Sequence, residues 1–410
     1  LPQERTKGGR IKLLWAPSES FDISLAAFKL QQDGVSSMFA TNSDPSPAFE
    51  ALITPQTGID GENDAPVYFE LDNEVFYGQA NFYTNSFDAK LIASDQQIQT
   101  GALYDLDGLP TPLVSFEIPK QGADVQTLEL QLLSNESSWN SDDFTWIMGY
   151  YYFTSIQGMD EIRFGVANSL LGGIGDLLTP ILTGLGLGPL QPGEPLIANG
   201  LMETDSNSIF TQGTYQFTDW LALTLGARLQ EEKRTLISSG GAVNTPLGNT
   251  SYTSYSGQND TTKSISPKVS FELTPWDDVL IYLSYQEAVK SSTFNVVNFL
   301  NFSEPEPVKK EELDAYELGL KTTLFDGTTT LSAAVFHYDM KNLQVQFLSL
   351  LAGGAVTFEN APAAEIDGMD FDITSQIMPD LLPGLILTAG GAFLDASFTE
   401  FPEGQGFDSS

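Results

Sequence analysis

Residues 311–346 read EELDAYELGLKTTLFDGTTTLSAAVFHYDMKNLQVQ. Two β-type runs flank one tight turn, FDGT, and each run is about fifteen to nineteen residues long. Strands of globular proteins usually have about 5–6 residues, so the length of this hairpin needs a cause. In YELGLKTTL, Tyr316, Leu318, Leu320, Thr322 and Leu324 alternate with Glu317, Gly319, Lys321 and Thr323. Residues 219–236, DWLALTLGARLQEEKRTL, repeat the period-two pattern. There Leu221, Leu223, Leu225, Ala227 and Leu229 oppose Ala222, Thr224, Gly226, Arg228, Gln230 and Glu232. VLIYLSYQ does the same, with Val279, Ile281, Leu283 and Tyr285 against Leu280, Tyr282, Ser284 and Gln286. One face is nearly all Leu and Ile, and the other is charged or small. A soluble sandwich would bury the apolar face against a second sheet. A membrane barrel would turn it to lipid and line a wet lumen with the other. Alternation alone serves both.

The connections separate the two. Fourteen strands are expected, at 8–16, 20–31, 67–85, 88–99, 125–135, 143–157, 207–217, 220–237, 265–274, 278–290, 311–325, 328–346, 362–377 and 384–398. Links after odd strands are short: PSE, NSF, SNESSWNSD, TD, PWD, FDG and MPDLLPG. Links after even strands are long: about 32–66, 100–124, 158–206, 238–264, 291–310 and 347–361. Short and long alternate along the whole chain. This predicts an all-β fold, an antiparallel up-and-down transmembrane β-barrel with short periplasmic turns and long extracellular loops. Greek-key sandwiches do not alternate so regularly. A tilted barrel strand crosses the hydrocarbon in about 9–11 residues, and the surplus length would stand above it on the outer side.

Composition narrows the function. The 410 residues include 54 acidic and 18 basic side chains, a formal charge of −36, which argues against a nucleic-acid partner. There is no Cys and one His, His337, so thiolate or multi-histidine metal sites and Ser-His-Asp chemistry have no material. No cofactor is expected. The longest uncharged apolar stretch near the middle, residues 177–193, is interrupted by Pro180 and Pro189 and is too short for a spanning helix. The mean hydropathy of −0.09 is compatible with a barrel, because alternating strands average out.

Residues 266–295, SPKVSFELTPWDDVLIYLSYQEAVKSSTFN, resemble a stretch of TonB-dependent outer-membrane receptors of the ferric-complex type. In that family two strands flank a Thr-Asp-type turn and lead to a Lys-Ser-Gly-Gly-Phe-Asn-like loop. Residues 315–346 are similar to its following hairpin, and 358–401 to the next pair, in which an Asn-Ala loop leads into a Gly-centred strand. Residues 215–234, YQFTDWLALTLGARLQEEKR, also fit. Glu287, Ala288 and Val289 stand where Arg-Gly-Phe is common, and Ser291, Ser292 and Thr293 replace Ser-Gly-Gly, which alters the loop start rather than the barrel. The resemblance implies a receptor in the Gram-negative outer membrane. It would take up a scarce large solute, a ferric siderophore or similar metal chelate, energised by a TonB-ExbB-ExbD complex through a plug. It implies no enzymatic activity. The family's barrel has about 22 strands. The chain is therefore expected to be an internal piece, residues 1–410 of one incomplete barrel domain, lacking the plug and about four strands at each end.

Strand parity puts Arg228, Tyr282, Gln286, Lys290, Glu317 and Lys321 on the lumen face as candidate substrate-binding residues. The cations among them would offset the acidity of the wall towards an anionic chelate. The long loop 158–206 holds GVANSLLGGIGDLL, 165–178, with apolar residues near helical spacing. It reads as a short helix packing on the loop crown or closing over cargo. The acidic runs at 60–64, 105–108 and 304–314 read as solvated loop charge, with divalent cations the sharper alternative. His337 reads as structural or interfacial. Tyr150, Tyr151, Tyr152, Phe153, Trp220 and Trp276 fit an aromatic belt at the outer-membrane lipid interface. Two other functions share this sequence pattern: a passive porin-like channel or barrel adhesin without a plug, and a soluble secreted carbohydrate-binding β protein.

Overall fold

The structure is a computed structural model, and it describes residues 4–35, 67–105, 114–166, 196–245, 248–297, 304–349, 355–378, 381–382 and 384–400. One continuous antiparallel sheet carries the chain in sequence order. Its strands are β1 (Arg5–Ser18), β2 (Phe21–Gly34), β3 (Tyr68–Tyr83), β4 (Asp88–Asp105), β5 (Val114–Leu133), β6 (Phe144–Val166) and β7 (Leu196–Thr218). They continue as β8 (Leu221–Thr245), β10 (Asn259–Trp276), β11 (Val279–Lys290), β14 (Glu311–Leu324), β15 (Thr329–Ser349), β16 (Ala355–Gln376) and β17 (Ile386–Glu400). A short β9 (Gly248–Tyr255) pairs with β8, and β12 (Thr293–Phe294) pairs with β13 (Pro307–Val308). Every neighbour in the main path is the preceding or following strand of that path, as in an up-and-down barrel wall.

The fourteen expected strands correspond one to one with this path, but most of the observed strands are longer. The added length lies mainly on the side of the long connections: β5 begins at Val114, β6 continues to Val166, β7 begins at Leu196 and β8 continues to Thr245. The segment 158–206 is therefore strand at both ends, and of the expected helix 165–178 only Gly165 and Val166 are described, as strand. Residues 167–178 of that helix lie outside the described residues, as does the acidic run at 60–64. The sequence underestimates these strands because their upper ends do not alternate.

Which face is dry follows from burial. Among the described residues fifteen buried side chains are polar and nine are apolar. Ala222, Thr224, Ser206, Ser208 and Ser270 are buried, while Leu225, Leu229, Leu283, Leu318 and Phe271 are exposed. Burying Ser and Thr while exposing Leu is the reverse of what drives a water-soluble fold. It suits a wall whose convex side meets hydrocarbon. Leu283, Leu318, Val335, Met369 and Phe393 are register partners across five strands, and all are exposed. The next outward row is Tyr285, Tyr316, His337, Asp367 and Asp395, and the one above it is Glu287, Asp314, Asp339, Glu365 and Ser397. The surface thus passes from apolar to acidic within two rows, and His337 sits on that boundary. Trp15, Phe82, Tyr83, Trp220, Trp276 and Phe325 are exposed at the short turns and form the opposite girdle. On β14, Tyr316 to Leu324 is nine residues, about the length a tilted strand needs for the crossing.

The short turns are tied to one another. Asn135 Nδ2 donates to Thr84 O at 2.9 Å and to Asp88 Oδ1 at 2.9 Å, and Ser138 Oγ donates to Ser86 O at 2.6 Å. At the quoted FDGT turn Phe325, Asp326 and Gly327 all have positive φ. Only glycine takes that conformation without steric cost.

Candidate functional site

The concave face of the sheet carries the candidate residues in separate groups. Tyr282 on β11 and Glu317 and Lys321 on β14 come together. The Tyr282 hydroxyl donates to Glu317 Oε1 at 2.5 Å, and Lys321 Nζ lies 5.8 Å from the Tyr282 ring centroid. Gly319, directly opposite Tyr282 in the ladder, makes this possible. A Cβ there would lie 2.2 Å from the Tyr282 ring, so the ring rests flat on the glycine backbone. The alternate residue Gly319 is thus a seat for Tyr282 rather than a gap in the strand. Beside it Phe336 and Tyr338 stack at 4.9 Å, and Gly368 seats Phe336 in the same way. Asp370, opposite Ala334 on β15, is on the same face.

A second group runs up β8. Arg228 Nε donates to Gln230 Oε1 at 3.1 Å, Gln230 Nε2 to Glu232 Oε2 at 3.1 Å, and Arg234 Nε to Glu232 Oε1 at 2.9 Å. These are residues i, i+2, i+4 and i+6 of one strand, so parity alone puts them on one face. The Arg228 guanidinium lies over the Tyr151 ring of β6 at 5.6 Å, within cation–π range. Arg228 does not join Tyr282: two ladder steps and several residues separate them.

Lys290 stands at the rim. Its ammonium is 3.7 Å from Glu311, whose other tie is the backbone N–H of Gln344 at 2.9 Å. Gln286 faces inward opposite Lys268 and Ala315. Of the six residues read from parity, three form one cluster, Arg228 anchors a second, and Lys290 and Gln286 stand apart. Sequence reading missed Tyr338, Phe336, Asp370 and Arg234, and it gave Tyr151 to the lipid-facing belt, whereas the ring faces inward under Arg228. For the first three the signal was present: they share the parity of Glu317 across the ladder once β14, β15 and β16 are aligned. Among the described residues no group of His, Asp and Glu is arranged to hold a metal ion.

The rim has its own inward feature. Beyond Lys290 the chain turns over the concave side of β10, β8 and β7. The Thr262 and Ser292 hydroxyls lie 3.0 Å apart, Ser292 N donates to Thr262 Oγ1 at 3.1 Å, and Ser292 Oγ also meets Asp260. Phe294 packs with Met202 and Leu236, with Tyr255 and Val296 against them. Leu236 is 0% exposed. Gln344 Nε2 donates to Ser291 O at 2.9 Å and Lys309 O at 3.0 Å, which closes the strap from the other side.

Comparison with known proteins bears on this wall. Residues 15–408 match the family model of TonB dependent receptor-like β-barrels. The Acinetobacter baumannii protein named "Probable TonB-dependent siderophore receptor PiuA" is 22% identical over 210 residues, which are 48% of this chain and 24% of that protein. The solved structure of the ferric yersiniabactin uptake receptor FyuA from Yersinia pestis has a TM-score of 0.69 at 16% identity, covering 97% of this chain and 52% of that one. The siderophore receptor PiuA from Acinetobacter baumannii gives 0.63 at 15% identity, covering 98% of this chain and 57% of that one. The chain thus spans little more than half the length of these solved structures, and at such identity the likeness speaks for the fold alone.

Proposed function

The chain belongs to the TonB dependent receptor-like β-barrel family, and from that premise we propose that it forms the wall of a receptor for energised uptake of a ferric siderophore or similar metal complex. Members of the family are outer-membrane transport receptors rather than enzymes, and the apolar convex face with its aromatic girdle at the short turns is the surface such a wall presents to lipid. We assign residues 1–410 to one barrel-wall domain and give it no covalent chemistry.

The observation that carries the cargo reading is the concave face. In a chain of charge −36, Arg228 stands over Tyr151 and Lys321 over Tyr282 on the inward side, with Arg234 further along β8. Cations beside aromatic rings, with amide and carboxylate partners in reach, suit a bulky chelate that bears negative charge and planar groups. We place Arg228, Tyr282, Glu317 and Lys321 on its path, with Gln286 and Lys290 above them nearer the mouth. Energy would come from a TonB-ExbB-ExbD complex, as the family implies. The passive-channel reading differs in needing no energy source.

Uptake decides between them. Cells lacking the gene should lose accumulation of radioactive iron from at least one ferric siderophore under iron limitation. Restoring the gene should recover it, and loss of TonB should abolish it again. Uptake that persists without TonB would overturn the energised reading in favour of the passive channel. No loss with any ferric chelate would remove the iron-complex cargo.

A further inference from the structure

The wall is not evenly paired. β10 and β11 pair from Trp276–Val279 up to Lys268–Gln286, and there their ladder stops. Above it β10 keeps β8 as its partner, up to Asn259–Thr235, and β11 keeps β14, up to Lys290–Glu311. Pro267 stands at this fork. Having no N–H to give a neighbour, proline is tolerated in a sheet where the strand is an edge. The strap leaves the top of β11 beside the fork and spans residues 291–310, of which the two arms, 291–297 and 304–310, are described.

A connection of this length could hang free over the lumen. This one is tied down on both sides of the fork. At its foot one amide holds both ends: Gln344 Nε2 of β15 donates to Ser291 O at 2.9 Å and to Lys309 O at 3.0 Å. Asn360 of β16 grips the same point, accepting from Lys309 N at 2.7 Å and donating to Lys309 O at 3.0 Å. The arms pair with each other at Thr293–Val308 and Phe294–Pro307. Across the fork, Ser292 meets Thr262 of β10 through its N–H, at 3.1 Å, and its hydroxyl, at 3.0 Å. Thr293 Oγ1 lies 3.8 Å from Met202 Sδ of β7, and Phe294 packs with Met202 and with Leu236 of β8. Val296 rests on Gly200 of β7, where a Cβ would run into the Val296 carbonyl. On the return arm Glu304 accepts from Gln258 Nε2 at 2.8 Å. Ser291, Ser292, Thr293 and Phe294 are all buried. Strands β7, β8 and β10 on one side of the fork, and β15 and β16 on the other, thus hold the strap.

We propose that the strap is a fixed bar across the mouth of the lumen, not a lid, and that it limits the size of the cargo that enters. Lifting it would carry Phe294 out of its pocket into water. It would also leave the Thr262 hydroxyl and the Gln344 amide without partners in a buried setting. Moving segments have few buried apolar contacts and many exposed hydrogen bonds, and this segment is built the opposite way. Its place makes it an obstacle. It lies on the concave side at the level of Leu236, one inward position above Arg234. Arg234 and Glu232 beneath it are only 20% and 11% exposed. Cargo therefore passes beside the strap and not through the space it fills. The limit on size rests on the uptake reading, and the fixed seating does not.

The test uses the full-length receptor in intact cells. Residues 1–410 contain no Cys, and introduced thiols are read against the unsubstituted receptor. Ser292→Cys, at a buried position, should stay unreactive to a membrane-impermeant maleimide with and without a ferric chelate, while Lys309→Cys, at an exposed one, should react. Thr262→Cys combined with Ser292→Cys places two thiols where the hydroxyls lie side by side, and they should close a disulfide under mild oxidation. The oxidised receptor should then take up its ferric chelate at the rate of the reduced one. Phe294→Ala and Gln344→Ala loosen the strap at opposite ends. Both should shift the ratio of affinities for a bulky and a compact ferric chelate of equal charge several-fold towards the bulky one, a ratio that a mere brace would not move. Heat-modifiable migration identifies folded barrels, and the two loosening variants guard against one failing to fold. Labelling of Ser292→Cys as fast as Lys309→Cys, a thiol pair that does not close, or uptake lost on oxidation and regained on reduction would overturn the fixed bar. An unchanged affinity ratio in both loosening variants would overturn the size limit. If the unsubstituted receptor takes up no ferric chelate, the uptake reading fails instead, and the thiol labelling still decides the seating.

Discussion

Each long strand passes through two solvents, and its two halves are built by opposite rules. Near the short turns the buried side chains are Ala222, Thr224, Ser270 and Thr329, and the exposed ones are Leu225, Leu283, Leu318 and Phe271. Near the long connections apolar side chains are buried alongside polar ones such as Ser155, Thr204, Ser239, Thr262 and Ser292. Ile162, Met202, Leu236, Phe294, Ala198 and Ala361 are buried there, under charged strands that face outward. Of the nine buried apolar side chains among the described residues, only Ala222 lies in the lower half. The lower half needs no apolar core, because the bilayer receives its Leu and Ile and the continuous antiparallel ladder pairs the backbones of neighbouring strands. The upper half projects into water and must bury apolar groups to hold its shape. Its departures from regular pairing are the price of that: the bulges at Thr100–Ala102, Met159–Ile162 and Leu201–Met202, the added strands β9, β12 and β13, and the fork at Pro267.

The contrast breaks most readily in the band. Leu283→Arg puts a guanidinium on the lipid face two rows below the acidic row. A charge near the bilayer midplane of a barrel costs about 2–4 kcal/mol, and a loss of that order is expected. Glu287→Arg, four residues further along the same face, should cost less than about 1 kcal/mol, because there the surface is already wet. Reversible urea unfolding in vesicles measures both. Equal costs would mean that the hydrocarbon boundary does not lie at the Tyr285–Tyr316–His337 row.

The upper half is tested by its small core. Leu236→Ala empties the centre of the cluster with Met202 and Phe294. Large-to-small changes of buried leucine cost about 2–5 kcal/mol, and the low end is expected because the cluster is small. The loss should be local. Limited proteolysis should begin to cut at the strap around Phe294 while the lower barrel keeps its heat-modifiable migration. If the whole barrel unfolds together with the strap, the two halves are one cooperative unit and the division is only geometric.

The same division explains what could be read from the sequence. In YELGLKTTL and LALTLGARL the alternation is clean because one side meets lipid and the other meets water, and the strands, the turns between them and the inward parity of Arg228 and Glu317 were all legible. The upper ends of β5 to β8 were not. SSGGA and IANGLM mix small, polar and apolar residues without a period, since their inward faces meet other protein as well as water. The site was half legible for a related reason. Parity gives the face of Tyr282, Glu317 and Lys321 but not the level of Arg228, which depends on the register across β10. Nothing in the linear pattern marks Gly319 as the seat of a tyrosine ring, because a cross-strand partner is invisible until the register is known.

The smallest expected effect tests the boundary between the halves. Asp314 stands one row above Tyr316, where its carboxylate accepts from the Tyr285 hydroxyl at 2.8 Å and from Lys341 Nζ at 3.2 Å. The Tyr285 bond foremost, with Lys341 adding to it, holds the Asp314 carboxyl below its ordinary range against the opposing effect of burial. A carboxyl whose native pKa is depressed stabilises the folded state above its unfolded value of about 3.9 and loses that contribution as the pH falls through the native value. Lys341 is more than half exposed, so the pair is screened, and Asp314→Asn should cost about 0.2–1 kcal/mol at neutral pH. The difference between the two proteins should shrink as the pH is lowered below about 4, where Asp314 protonates. The nearby His337 does not confuse the reading, because an imidazole with an ordinary pKa of about 6.5 is already fully protonated there. A difference that stays constant down to acid pH would mean that the asparagine acts through packing. The charged row would then contribute nothing to holding the strands together at the point where they leave the membrane.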